Sequence, residues 1–155
     1  MGTARRSTIS PLALESLMMH IDSDTRRDSR MNRILLAEDD DAMREYLARA
    51  LTNAGYHVTD VDRGSEAAPL LESGTFDLLL TDIVMPEMDG IELAQHAASV
   101  APNTRIMFIT GFAAVSLKAG EVMPHAKLLS KPFHLKDLVA EVDALFGQQS
   151  ASRTS

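Results

Sequence analysis

Carboxylates, a hydroxyl and a lysine recur at one kind of place in this sequence, directly at or after the end of a short apolar run. Glu38-Asp39-Asp40-Asp41 follows Ile34-Leu35-Leu36-Ala37, Asp82 follows Leu78-Leu79-Leu80-Thr81, Thr110 closes Arg105 to Thr110, and Lys131 follows Ala126 to Ser130. If those runs are strands of one parallel sheet, the side chains that end them meet at one edge, where open α/β sheets bind their ligands. Carboxylates brought within a few ångström repel one another unless a hard cation neutralises them. A set of oxygen donors without Cys or His suits Mg2+. Mg2+ also binds phosphoryl oxygens, and Thr110 and Lys131 supply further donors for them. Asp82 is then placed as a nucleophile able to form an aspartyl phosphate.

The elements that must position these residues follow from the hydrophobic period. Ile34 to Ala37 reads as a buried strand, Tyr56 to Val61 as a second, Phe76 to Asp82 as a third, Arg105 to Thr110 as a fourth and Ala126 to Ser130 as a fifth. Between them lie helical stripes. Met43, Leu47, Ala50, Leu51 and Ala54 form one, closed by Gly55. A second helix runs from Gly64-Ser65 to about Glu72, with Ser65 as its expected N-cap and Pro69 disturbing only its start. Asp89-Gly90 opens a third, carrying Ile91, Leu93, Ala94 and Ala97. A weaker one spans Ala113 to about Ala119, with Gly120 to Pro124 as a loop, and the last runs from His134 to Phe146. Strands alternating with helices at this spacing need crossover connections, so the fold class is α/β, a five-stranded parallel sheet with helices on both faces.

Composition narrows the partners. With 15 basic and 22 acidic residues the formal charge is -7, which repels phosphate backbones and predicts no nucleic-acid partner. No apolar run approaches the roughly 20 residues that span a bilayer, so no membrane partner is expected. The chain has no cysteine, which removes disulfides and thiolate chemistry and fits a cytoplasmic location. The five histidines are scattered without zinc-like spacing. Asp40 and Asp41 read as a helix cap and a solvated first-turn acid rather than as ligands.

The set Glu38-Asp39, Thr81-Asp82-Ile83-Val84-Met85-Pro86-Glu87-Met88-Asp89-Gly90, Ile109-Thr110-Gly111 and Ser130-Lys131-Pro132-Phe133 resembles the receiver domain of two-component response regulators. The resemblance covers residues 32 to 147. It implies a flavodoxin-like (CheY-like) strand order of 2-1-3-4-5, a phosphohistidine donor on a histidine kinase or histidine phosphotransferase, and a cis peptide between Lys131 and Pro132. It also implies roles: Asp82 as phosphoacceptor, Asp39 and Asp82 as direct Mg2+ ligands with the backbone carbonyl of Val84, Glu38 acting through a water, Lys131 on a phosphoryl oxygen and Thr110 as the switch. Such a protein catalyses only its own phosphorylation and dephosphorylation. Val84 and Phe112, each two residues beyond a site residue, are expected to hinder the hydrolytic water. Where many receivers carry an aromatic residue three positions before the lysine, this chain has Leu128, so the readout is expected to rely on the segment after Thr110.

Ile34 to Asp40, Leu78 to Leu93, Ile106 to Ala114 and Leu129 to Pro132 look like the CpdR group of response regulators, which implies an adaptor for the ClpX unfoldase in cell-cycle proteolysis. Alternatives are a receiver that shuttles phosphate in a relay, or a binding module locked in one state. A phosphatase of the haloacid-dehalogenase type would need an acid where Val84 stands, and a nucleotide-binding domain would need a glycine-rich phosphate loop after the first strand. Residues 1 to 31 read as an extension, with a short amphipathic helix on Leu14, Leu17, Met18 and Ile21 and a polar linker after it, departing from that group's short N-terminus. Residues 148 to 155 read as a disordered tail.

Overall fold

The computed structural model describes residues 32–154; the expectations for residues 1–31 lie outside the described residues. Five strands are β1 (Arg33–Ala37), β2 (His57–Val61), β3 (Leu78–Asp82), β4 (Arg105–Thr110) and β5 (Lys127–Ser130). The helices among the described residues are α1 (Asp41–Asn53), α2 (Gly64–Ser73), α3 (Gly90–Val100), α4 (Ala113–Val122) and α5 (Leu135–Thr154). The strands pair in parallel in the order β2-β1-β3-β4-β5, as expected. β1 and β3 are buried because they lie inside the sheet with helices on both faces.

Alternation along the strands sorts the core into two faces. Ile34, Leu36, Leu78 and Leu80 pack with Leu47 and Leu51 of α1 and Leu138 and Val142 of α5. Leu35 and Leu79 pack with Ala67 and Leu71 of α2 and Leu93 and Ala97 of α3. A third group, Ile83, Ile91, Ala94, Phe108 and Ala119, lies under α4, with Leu128 packed against it. Each such leucine side chain, fully buried, stabilises the fold by about 1.5–3 kcal/mol.

Register carries the core into the site. Ala37 pairs with Thr81, Asp82 with Ile109 and Thr110 with Ser130, so the strand ends fall in line. α1 begins where predicted, with Asp40 accepting the Met43 N–H at 2.8 Å, and Asp41 is a first-turn acid. Its end is closed by Gly55 at φ 103°, a conformation that glycine adopts at little cost.

Several boundaries differ from expectation. The N-cap of α2 is Arg63, not Ser65, and Pro69 sits inside a continuous helix. Ser65 is not free to cap, because its hydroxyl meets Glu87 at 3.2 Å. The N–H that Pro69 lacks would have met the Ser65 carbonyl near the exposed start of the helix, where water can replace it. α4 does not stop at Ala119. It runs through Gly120 to Val122, because Ala119 is buried and Val122 and Met123 pack against the same cluster. A mid-helix glycine costs about 1 kcal/mol, less than that packing returns. α5 starts at Leu135, with the His134 carbonyl accepting from Asp137 and Leu138, and extends past the predicted boundary at Phe146 to Thr154. Residues 148 to 154 are therefore helical where a disordered tail was expected; they contain no proline to stop the helix.

Candidate functional site

Glu38 is the first residue beyond β1. Its N–H continues the ladder to the Val61 carbonyl at 3.1 Å, and its side chain is 1% exposed. One carboxylate oxygen accepts the Asp40 N–H at 3.2 Å, and the other lies 3.4 Å from the Lys131 ammonium. Asp82, the last residue of β3 and also buried, places Oδ2 at 3.3 Å from the same ammonium. Asp39 lies beside them on the exposed side, and one carboxylate oxygen from each of Glu38, Asp39 and Asp82 falls within a 4.8 Å group.

Asp82 is held from behind. The Thr81 hydroxyl donates to the Asp82 carbonyl at 2.7 Å. A Cβ at position 90 would stand 2.1 Å from that same oxygen, so only glycine fits where α3 begins. The Gly90 N–H donates to the Ile83 carbonyl at 2.7 Å, closing the loop that carries Val84. Asp89 and Glu92 form a reciprocal capping box that fixes the start of α3. Thr81 and Gly90 were not singled out as site residues from the sequence. The signal for Gly90 was its place after the capping Asp89, where a helix start alone does not demand glycine.

Thr110 closes β4 at 1% exposure. Its hydroxyl accepts the Phe112 N–H at 3.2 Å, and its carbonyl accepts the Lys131 N–H at 2.8 Å. The Lys131-Pro132 peptide is cis, as expected. Val84 and Phe112 stand exposed on the two loops that follow Asp82 and Thr110. The structure thus brings Glu38, Asp39, Asp82 and Lys131 together, with Thr110 joined to Lys131 through the backbone.

Electrostatics follow from that packing. Burial, then the charge of Asp82, pushes the Glu38 carboxyl up from its ordinary value near 4.5 to about 7, against the Asp40 N–H and Lys131. For Lys131, burial works to lower the pKa, but Asp82 and Glu38 outweigh it and the net shift is upward. Three carboxylates therefore face one ammonium. Clustered oxygens with this excess of negative charge fit a hard divalent cation, and the set contains no soft ligand.

Residues 34–143 match the response regulator receiver domain model. Over 116 residues, 74% of this chain and 97% of the relative, the chain is 60% identical to the response regulator receiver protein CpdR of Brucella abortus. A CheY-like receiver domain protein from Methanospirillum hungatei superposes with a TM-score of 0.73 at 27% identity, covering 79% of this chain and 98% of that one. The response regulator TrrA of Thermotoga maritima, solved in complex with Mg2+-BeF, gives a TM-score of 0.67 at 28% identity over 74% of this chain and 99% of that one. This chain therefore belongs to the response regulator receiver domain family, as a CpdR-like member.

Proposed function

We propose that Asp82 accepts a phosphoryl group from a phosphohistidine on a histidine kinase or histidine phosphotransferase. The observation that carries this reading is the Lys131 ammonium, 3.3 Å from Asp82 and 3.4 Å from Glu38, as one cation among three carboxylates. A carboxylate oxygen of Asp82 attacks phosphorus, the O–P bond forms, the N–P bond breaks, and the donor imidazole leaves with the electron pair. Lys131 turns from Asp82 to a phosphoryl oxygen. Thr110 releases the Phe112 N–H and donates its hydroxyl to another. Glu38, Asp39, Asp82 and the Val84 carbonyl are the groups that would hold Mg2+. When bound, Mg2+ neutralises the acids and the incoming phosphoryl charge. The TrrA complex with Mg2+-BeF supports that assignment.

Val84, 44% exposed, and Phe112, 61% exposed, each stand two residues beyond a site residue, and on this reading they hinder the water that would hydrolyse the acyl phosphate. The chemistry ends there, with the chain catalysing only its own phosphorylation and dephosphorylation. Among the described residues no helix is long and apolar enough to cross a membrane, which supports a cytoplasmic setting. The likeness to CpdR over 97% of that relative supports membership of that group, and the output proposed for this chain is an adaptor for ClpX controlled by the state of Asp82.

Two measurements test this. Acetyl phosphate and Mg2+ should label the wild type with acid-labile phosphate and leave Asp82→Ala unlabelled. Immobilised ClpX should retain one phosphorylation state of the wild type in preference to the other. Equal retention of both states, or of neither, contradicts the adaptor output.

A further inference from the structure

Arg44 occupies the first turn of α1, where the helix dipole disfavours a cation. It is nevertheless 82% removed from solvent, its side chain being 18% exposed, and its guanidinium is divided among three elements. Nη1 donates to the Glu38 carbonyl at 2.9 Å, Nη2 to Asp41 at 2.7 Å, and Nε to Asp60 of β2 at 3.2 Å. The Glu38 carbonyl belongs to the peptide that joins Glu38 to Asp39. Holding that peptide plane restrains the backbone from which both acids project. The neighbouring Arg49 is a contrast, since it pairs with Glu45 on its own helix and both side chains are about 70% exposed.

We propose that Arg44 is a positioning residue for cation binding, acting through the Glu38–Asp39 peptide rather than by touching the ion. The proposal rests on the reading that Glu38, Asp39 and Asp82 hold Mg2+. Arg44 is suited to this because a planar fork can bond a carbonyl and two carboxylates at once. A lysine keeps the charge but offers one compact ammonium. The sign of the effect separates geometry from charge. As a nearby cation, Arg44 repels Mg2+, so a purely electrostatic role predicts tighter binding when it is removed. As a positioning residue, its loss predicts weaker binding.

Isothermal titration of the full 155-residue chain with Mg2+ alone tests this. Arg44→Lys, which keeps the charge, should weaken binding by about 10- to 100-fold, the range for residues that orient metal ligands. Arg44→Ala should also weaken it, and Arg49→Ala should leave it unchanged. Circular dichroism verifies the fold of each, and Arg44→Lys carries the test if Arg44→Ala fails to fold. Wild-type affinity in Arg44→Lys, or tighter binding in Arg44→Ala, overturns the proposal. Absence of Mg2+ binding by the wild type instead overturns the reading of the site on which it rests.

Discussion

The two edges of the sheet carry the same kinds of residue and use them in opposite ways. At the N-terminal edge, Asp77 ties β1 to β4: Oδ2 accepts the Arg33 N–H at 2.7 Å, its N–H donates to the Arg33 carbonyl at 2.8 Å, and its carbonyl accepts the Arg105 N–H at 3.0 Å. The Arg33 guanidinium lies 5.1 Å from the centre of the Phe76 ring, and the Thr104 hydroxyl donates to the Phe76 carbonyl at 2.7 Å. Polar groups there bond mainly to the backbone and join strands. At the C-terminal edge, Glu38, Asp39 and Asp82 face Lys131, and Glu38 is pushed up to about 7. Charge in excess marks a place prepared for something that arrives, at a cost to the resting fold.

The contrast is broken most forcefully at Lys131. Lys131→Ala should slow phosphorylation from acetyl phosphate by about 10²–10³-fold, the loss of one preorganised donor to developing charge, or roughly 2.7–4 kcal/mol. A wild-type rate would mean that the lysine only balances buried acids.

The next effect is a pH dependence confined to the acidic edge. With Glu38 ordinarily near 4.5 and raised to about 7 in the fold, the folded chain between those values keeps a proton that the unfolded chain has released. Stability of the metal-free protein should therefore fall as pH rises from about 4.5 to 7, by on the order of 1–3 kcal/mol. Urea titrations in EDTA across that window measure it, and Glu38→Gln should flatten the slope. A wild-type stability that rises through the window would contradict the assignment.

Asp77→Ala sharpens the comparison from the other edge. Leaving the Arg33 N–H without its acceptor should cost about 1–2 kcal/mol and lower the melting temperature, while the phosphorylation rate stays at wild type. Loss of phosphorylation in a folded Asp77→Ala protein would show that the two edges are not separable.

Phe112→Ala should give the smallest effect. Removing the exposed ring two residues beyond Thr110 should shorten the acyl-phosphate lifetime several-fold, a barrier change of about 1 kcal/mol or less, without altering stability. Decay of labelled protein after removal of the donor reads it directly, and an unchanged lifetime removes Phe112 from the account.

The functional edge was legible because its residues terminate buried apolar runs, and a parallel sheet admits few ways to arrange such runs. The meeting of Glu38, Asp39, Asp82 and Lys131 follows from that placement, whereas the strand order and the cis peptide were implied by the resemblance that the motifs carry. What escaped depends on contacts between distant residues. Ser65 is a good capping residue by type, but Glu87 holds its hydroxyl and the extended backbone at Arg63 starts the helix instead. Gly120 is a helix-ending residue by type, yet packing around Ala119 and Val122 carries α4 through it. The close approach of Gly90 to the Asp82 carbonyl and the reach of Arg44 to the Glu38 carbonyl are products of tertiary packing, which period and propensity do not encode.

The central claim is that Asp82, alone among the clustered acids, becomes the acyl phosphate. Borohydride reduction after exposure to acetyl phosphate and Mg2+, followed by peptide mass spectrometry, converts a phosphorylated aspartate to homoserine and locates it. Homoserine at position 82, with no homoserine at position 39 and no 5-hydroxynorvaline at position 38, is the predicted result. Trapping at another acid, or none in folded wild-type protein, would contradict it.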